Sequence, residues 1–208
     1  MQPQTRLYDL NGVFLTVDGF WQFLEAEHPD IFRDYKLLGD KDAELKRKVR
    51  PQMLAVYEHA TDNGLYPVEL MPHVKERLET DRAQGYRRTV FTSAPRTTTE
   101  KQLDNFGVSV DHVLVLDDIQ REFNLPGAMK EDPAVFEALA QYVRQHGLGN
   151  PVSYVDDSQK RIQAAVQANQ ALGEHNLGTL FLFDLKVSMS PAPGAGYTTI
   201  NDLLHLQQ

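Results

Sequence analysis

Three short stretches of this sequence place polar side chains directly after apolar runs. These residues are Asp9 after "RLY", Thr92 and Ser93 after "TVF", and Asp156 and Asp157 after "VSYV". Carboxylates can act as nucleophiles, as general acids or bases, or as ligands of a divalent cation. If the apolar runs are parallel strands, their carboxyl ends meet at one edge of a sheet, and these side chains converge there.

The stretch "LYDLNGVFL", residues 7–15, allows two interpretations of Asp9. An Asn-Gly pair between apolar runs is the strongest short signal for a β-hairpin turn. An Asp that ends an apolar strand, with a polar residue two places on and then Gly, is also compatible with a catalytic loop. These residues alone do not choose between Asp9 as a turn residue and Asp9 as a nucleophile.

The other candidates also have simpler structural explanations. The Asp156–Asp157 pair, or Ser158 after it, could cap a helix that begins there. Lys130 could be a solvated lysine before a helix. The basic run Lys46-Arg47-Lys48 could be a solvated helix face, or a patch that receives a second phosphate or a nucleotide.

The elements that must position these residues alternate along the second half of the chain. The apolar segments "RRTVFT", "VDHVLVL", "PVSYVDD" and "GTLFLFDL" predict strands. Between them, "RTTTEKQLDNFG", "DPAVFEALAQYVRQHG" and "SQKRIQAAVQANQALG" predict helices. Strands that alternate with helices predict an α/β fold, with a parallel sheet covered on both faces.

The segment between the first and second predicted strands is mostly helical in pattern. Helical periodicity runs from about residue 20 to residue 60, with Pro51 expected to end or kink the second helix. Another helix is predicted near residues 72–83. At the other end of the chain, "TINDLLHL" predicts a closing helical turn or helix.

Composition limits the class of protein. With 208 residues, the chain suits one full domain with a small insertion. Its net charge of −8 is opposite to what a nucleic acid duplex attracts, so we expect no such partner. The absence of cysteine excludes thiol nucleophiles and Cys-ligated zinc. No signal-peptide pattern and no membrane-length apolar run are found, which predicts a cytoplasmic protein without a membrane partner.

Four segments, in order, resemble the haloacid dehalogenase superfamily, and most closely its phosphatase and phosphosugar mutase branch. These segments are "YDLNGVF", "VFTSAPR", "GAMKEDPAVFEALA" and "VSYVDDSQKRIQAA". The resemblance implies a Rossmann-like core formed by residues 1–15 and 76–208. It also implies a small α-helical cap, residues 16–75, inserted after the first strand and selecting the substrate. Within this resemblance, Asp9 is a nucleophile rather than a turn residue.

The resemblance implies a Mg²⁺-dependent reaction on a small phosphorylated metabolite through an aspartyl-phosphate on Asp9. The implied Mg²⁺ ligands are Asp9, the main-chain carbonyl of Asn11, and Asp157 with the adjoining Asp156. Thr92 would hold a phosphoryl oxygen, with Ser93 lining the same loop. Lys130 would place a positive charge on the transferring group and steady Asp9.

Two positions depart from the pattern of the resembled family. Asn11 stands where phosphatase relatives mostly carry an Asp that acts as general acid and base, and an amide does not exchange a proton near neutral pH. Arg161 stands where some relatives carry another Asp. The chain could therefore be a weak or specialised phosphotransfer enzyme, a phosphosugar mutase, or a relative that only binds a phosphorylated ligand or a protein. Asn11 could also be an engineered change, and the sequence leaves the oligomeric state open.

Overall fold

The computed structural model describes residues 3–39, 41–185, 190–191 and 196–206. Within them, one sheet has the strand order β3-β2-β1-β4-β5-β7-β6, with all neighbours parallel except β6 and β7. The strands are β1 (Gln4–Tyr8), β2 (Arg87–Thr92), β3 (His112–Val115), β4 (Asn150–Asp156), β5 (Thr179–Phe183), β6 (Ser190–Pro191) and β7 (Thr198–Ile200). The predicted α/β class with a Rossmann-like parallel sheet is confirmed.

Helices fill the connections between the strands. They are α1 (Asp18–Glu27), α2 (Pro29–Phe32), α3 (Ala43–Asp62), α4 (Val74–Ala83), α5 (Arg96–Asn105), α6 (Leu116–Glu122), α7 (Pro133–Gln145) and α8 (Gln159–Leu172). A π-helical turn covers Arg33–Leu38, and 3₁₀ turns cover Gly173–His175 and Leu203–His205. No helix in the described ranges is long and apolar enough to cross a bilayer.

The two faces of the sheet bury two separate clusters of apolar side chains. Leu7 and Tyr154 pack on one face with helices α7 and α8, whereas Tyr8 and Val155 pack on the other with α4. This division follows from the pleat of a strand, which points successive side chains to opposite faces. A third cluster, which includes Phe20 and residues of α3, lies mainly among helices α1 to α3. The chain inserts these helices between β1 and β2, and they are called the inserted helices below.

Strand order reverses around β1, because the chain builds β2 and β3 on one side and then returns to build β4 on the other. In open parallel sheets, ligands bind beyond the carboxyl ends of the strands at such a point. Asp9 is the first residue after β1, and its N–H donates to the carbonyl of Val155 (2.8 Å). The fold therefore places Asp9 where a ligand site is expected.

The hairpin interpretation of Asn11-Gly12 is wrong. Strand β1 pairs with β2 on one side and with β4 on the other, so both of its edges are filled and no returning strand can add to it. The chain after Asp9 instead forms a tight loop, in which the Gly12 N–H donates to the Leu15 carbonyl (2.7 Å).

Three local predictions also differ from the structure. Helix α3 continues through Pro51, which is exposed, so water can hydrate the carbonyl that loses its partner. Leu116 begins α6 rather than ending a strand. The closing segment forms strand β7 before a 3₁₀ turn, because β7 pairs with β5 and extends the sheet.

Candidate active site

Asp9 and Lys130 form a buried ion pair at the carboxyl end of β1. The Lys130 Nζ lies 2.9 Å from Asp9 Oδ1 and 3.1 Å from Asp156 Oδ2, and it also donates to the carbonyl of Phe91 (3.1 Å). Only 1% of the Lys130 side chain is exposed. Lys130 is therefore not the solvated lysine that its sequence context allowed, and its charge is directed at two carboxylates.

The two acids at the end of β4 have different environments. Asp156 is fully buried, where its carboxylate accepts hydrogen bonds from the Tyr154 hydroxyl and from the Ser158 N–H (2.9 Å). The Asp157 side chain is 35% exposed and faces the loop that contains Gly12. Oxygen atoms of Asp9, Asp156 and Asp157 lie within 4.8 Å of one another. Residues that are almost 150 positions apart thus form one carboxylate cluster.

Arg161 also belongs to this cluster, although the sequence analysis gave it no role. Its NH1 lies 2.9 Å from Asp9 Oδ2, 3.4 Å from Asp156 Oδ1 and 3.9 Å from Asp157 Oδ1. Arg161 lies in α8 whereas Asp157 precedes that helix, so their contact depends on how α8 follows β4 rather than on helical spacing. The site therefore combines three carboxylates with two cations.

Burial and these charges set the ionisation of the acids. Burial raises the pKa of Asp9, and the positive charges of Lys130 and Arg161 oppose that rise. Burial also acts to raise the pKa of Asp156, but the same two cations outweigh it and hold that pKa below its usual value. Burial together with the charges of Asp156 and Asp9 raises the pKa of Asp157 to about 7. The two cations thus favour the carboxylate form of Asp9 that a nucleophile needs.

The donor set suits a divalent cation, since Mg²⁺ prefers oxygen ligands and one ion can bridge carboxylates at this spacing. Asp9 and Asp157 could supply carboxylate oxygens, and Asn11 a main-chain carbonyl. The Asp157 side chain packs so closely against Gly12 that a Cβ there would lie 2.2 Å from Asp157 Oδ2. Gly12 is therefore required for the close approach of Asp157 to the loop after β1.

Replacing Gly12 by Ala should distort the site as well as strain the backbone. Gly85 offers a matched control, because its φ of +81° resembles the +88° of Gly12 and no atom lies within 4 Å of its added Cβ. We expect Gly85→Ala to lower the free energy of unfolding by about 1–2 kcal/mol through backbone strain. Gly12→Ala should cost about 1–3 kcal/mol more, through overpacking against Asp157. Equal losses in urea denaturation of the two variants would contradict this account.

The loop after β2 contains Thr92 and Ser93. Thr92 is buried, and its hydroxyl accepts a hydrogen bond from the Ala94 N–H (3.1 Å). In the described part of the chain, that hydroxyl is not hydrogen-bonded to the carboxylate cluster. Ser93 lines the adjoining cleft, and its carbonyl accepts from Arg50 (3.2 Å). The structure therefore places both residues at the same end of the sheet as Asp9.

The side chain of Asn11 is hydrogen-bonded to a residue of the inserted helices. Its amide donates to the hydroxyl of Tyr57 in α3 (3.3 Å), and that hydroxyl donates to Gln102 Oε1 in α5 (3.0 Å). Tyr57 is buried, and this burial raises the pKa of its hydroxyl. The side chain at position 11 thus links the loop after Asp9 to both the inserted helices and the core.

A cleft of about 220 Å³ lies between the carboxylate cluster and the inserted helices. Its lining includes Asn11, Trp21, Tyr35, Ser93, Asp157 and Arg161. Lys46 of the basic run lines this cleft and pairs with Glu131 (3.0 Å), and Arg47 pairs with Asp132 (3.5 Å). These ion pairs join α3 to the loop around Lys130, so the basic run connects the helical insertion with the core.

The family model described as haloacid dehalogenase-like hydrolase matches residues 15–172. The chain therefore belongs to the haloacid dehalogenase-like hydrolases, as the four sequence motifs indicated. The matched range begins after Asp9 and Asn11, so the family model does not cover those two residues. A search of curated proteins found no match.

Solved structures with the same fold are named for different reactions. A HAD phosphatase from Thermococcus onnurineus is 20% identical with a TM-score of 0.59, covering 98% of this chain and 95% of that one. A putative beta-phosphoglucomutase from Thermotoga maritima is 15% identical with a TM-score of 0.57, covering 98% and 97%. An L-2-haloacid dehalogenase from Xanthobacter autotrophicus is 13% identical with a TM-score of 0.54, covering 90% and 79%. At these identities the likeness shows the fold alone.

Proposed function

We propose that this chain is a Mg²⁺-dependent phosphatase or phosphotransferase that acts on a small phosphorylated metabolite through Asp9. The observation that carries the proposal is the placement of Asp9 at the carboxyl end of β1, between Lys130 (2.9 Å) and Arg161 (2.9 Å). Positive charge beside a carboxylate nucleophile, here from Lys130 and from either Arg161 or a bound metal ion, can offset the repulsion between that nucleophile and an anionic phosphate. The cleft of about 220 Å³ above them suits a small substrate.

In the proposed reaction, a carboxylate oxygen of Asp9 attacks the phosphorus atom of a phosphate monoester. The bond between phosphorus and the leaving oxygen breaks, and that oxygen takes a proton from water. A second water then attacks phosphorus and gives a proton to the hydroxide left by the first step. The bond between phosphorus and the Asp9 oxygen breaks, so inorganic phosphate leaves and Asp9 is again a carboxylate. Lys130 stays beside Asp9 and offsets the negative charge of the transferring group.

The metal would be held by Asp9, Asp157 and the carbonyl of Asn11, with Asp156 beside them. When bound, it supplies positive charge that stabilises the phosphoryl oxygens. Asp156 is held in its ionised form by Lys130 and Arg161 and so contributes negative charge to that position. The Ser93 side of the cleft provides polar groups for the phosphate.

Asn11 favours a second candidate function, which is binding of a phosphorylated ligand or a protein partner without turnover. Its amide can donate a hydrogen bond to a leaving oxygen but cannot transfer a proton. The loss of a general acid–base group typically costs about 10²–10⁴ in rate. The two candidates differ in whether phosphorus ever becomes bonded to Asp9.

The test is to trap that bond with p-nitrophenyl phosphate, whose leaving group needs no proton, in the presence of Mg²⁺. We expect the protein to gain a phosphoryl group that mass spectrometry locates on the peptide containing Asp9. The adduct should accumulate, because Asn11 cannot act as a base for the attacking water. The Asp9→Asn variant should show neither adduct nor phosphate release.

Phosphate release that persists in Asp9→Asn would contradict the assignment of the nucleophile. Absence of adduct and release in the unmodified protein would favour the binding function. A sugar phosphate whose phosphoryl group moves between positions, with little net phosphate release, would identify a mutase instead.

A further inference from the structure

We propose that Arg161 is the resident counter-cation of the carboxylate cluster, and that a divalent cation binds only when it displaces the Arg161 guanidinium. The inference concerns Arg161 but rests on the proposed function for the identity of the competing ion. It assigns to Arg161 control over the affinity of the site for metal.

Lys130 leaves one carboxylate oxygen of Asp9 available to a metal ion. Lys130 Nζ lies 2.9 Å from Asp9 Oδ1, so Oδ2 is the other oxygen of the nucleophile that a cation can reach. That oxygen is 2.9 Å from Arg161 NH1. The same nitrogen lies 3.9 Å from Asp157 Oδ1, the second carboxylate expected to hold the metal. A guanidinium and a divalent cation would thus use the same side of the same two carboxylates.

The charge balance of the cluster also favours displacement of Arg161 by a divalent cation. When all three acids are ionised they carry three negative charges, and Lys130 and Arg161 together offset two of them. A divalent cation added while Arg161 stays in place would lie beside like charge, and repulsion at such distances is strong where water is partly excluded. If the guanidinium leaves, the ion replaces one positive charge with two beside the same carboxylates.

Of Lys130 and Arg161, Arg161 is the cation that is able to move. Lys130 is 1% exposed and is fixed by three acceptors, whereas the Arg161 side chain is 26% exposed and lines the cleft. Arg161 Nε is buried without a hydrogen-bond partner, 4.0 Å from Glu131 Oε1. A buried donor without an acceptor makes the inward position of the side chain less favourable.

The test is to titrate Mg²⁺ and Mn²⁺ into the unmodified protein and into Arg161→Gln by isothermal calorimetry. Gln keeps a polar side chain of similar reach but removes the charge, so we expect at least about tenfold tighter binding. Lys160→Gln is the matched control, because Lys160 precedes Arg161 on α8, lines the same cleft and carries the same charge. Its affinity should stay within about twofold of the unmodified protein, since exposed charges are screened.

Equal affinity in the unmodified protein and Arg161→Gln would overturn the inference and leave the proposed metal site intact. Failure of both to bind either ion would overturn the inference and the Mg²⁺ part of the proposed function together. If Arg161→Gln does not fold, a crystal structure of the unmodified protein with Mn²⁺ decides the question. Arg161 NH1 should then lie beyond hydrogen-bond distance of Asp9 Oδ2, and a retained contact would overturn the inference.

Discussion

Replacing Asn11 by Asp should raise the rate of phosphate release from unactivated phosphate monoesters by about 10²–10⁴-fold. The carboxyl group would protonate the leaving oxygen and then accept a proton from the attacking water. Its position is already prepared, because the Tyr57 hydroxyl lies 3.3 Å from the side chain at position 11 and can turn its single proton from Gln102 to a carboxylate there. The increase should be small for p-nitrophenyl phosphate in the first step, since that leaving group needs no proton.

The measurement is steady-state phosphate release over a panel of phosphate esters with Mg²⁺. Asn105→Asp provides the control, because it makes the same chemical change at an exposed position at the end of α5. A large gain confined to Asn11→Asp would identify the chain as an enzyme without its proton shuttle. No release from either form, despite measured binding of metal, would contradict the prediction and favour the binding function.

Replacing Lys130 by Met should lower the free energy of unfolding by about 3–5 kcal/mol, because it leaves buried carboxylates with one counter-charge fewer. Met has a similar shape and can pack where the lysine now lies against the rings of Phe91 and Tyr154. The loss therefore reports the charges of Asp9 and Asp156 rather than a cavity. Urea denaturation at neutral pH is the measurement.

Lys101→Met is the matched control, since Lys101 pairs with Asp62 at 2.7 Å but both side chains are nearly half exposed. An exposed pair contributes at most about 1 kcal/mol. Adding Asp156→Asn to Lys130→Met should recover part of the lost stability, because it removes one of the unpaired buried charges. Similar losses for Lys130→Met and Lys101→Met would show that the buried cluster is not held by electrostatics.

The sequence by itself determined the class of fold and most of the residues of the carboxylate cluster. Alternating strand and helix patterns predicted the parallel sheet, and the carboxyl ends of its strands predicted where Asp9, Asp156 and Asp157 would meet. These signals are local, because each depends on a short apolar run and the polar residue that ends it. Lys130 was implied by the resemblance of the four ordered motifs to the family, and not by a strand end.

The resemblance favoured a loop over a hairpin at Asn11, but only the tertiary structure excluded the hairpin and decided the environment of the cluster. The Asn-Gly pair satisfies a local turn rule, but β1 has β2 and β4 on its two edges, and no local pattern encodes that both edges are filled. Tyr57 reaches Asn11 across 46 positions and Arg161 reaches Asp9 across 152. Such contacts depend on how helices dock on the sheet, which is set by long-range packing rather than by residue type or spacing. That is why the counter-charge at Arg161, which decides how the acids are balanced, becomes visible only in three dimensions.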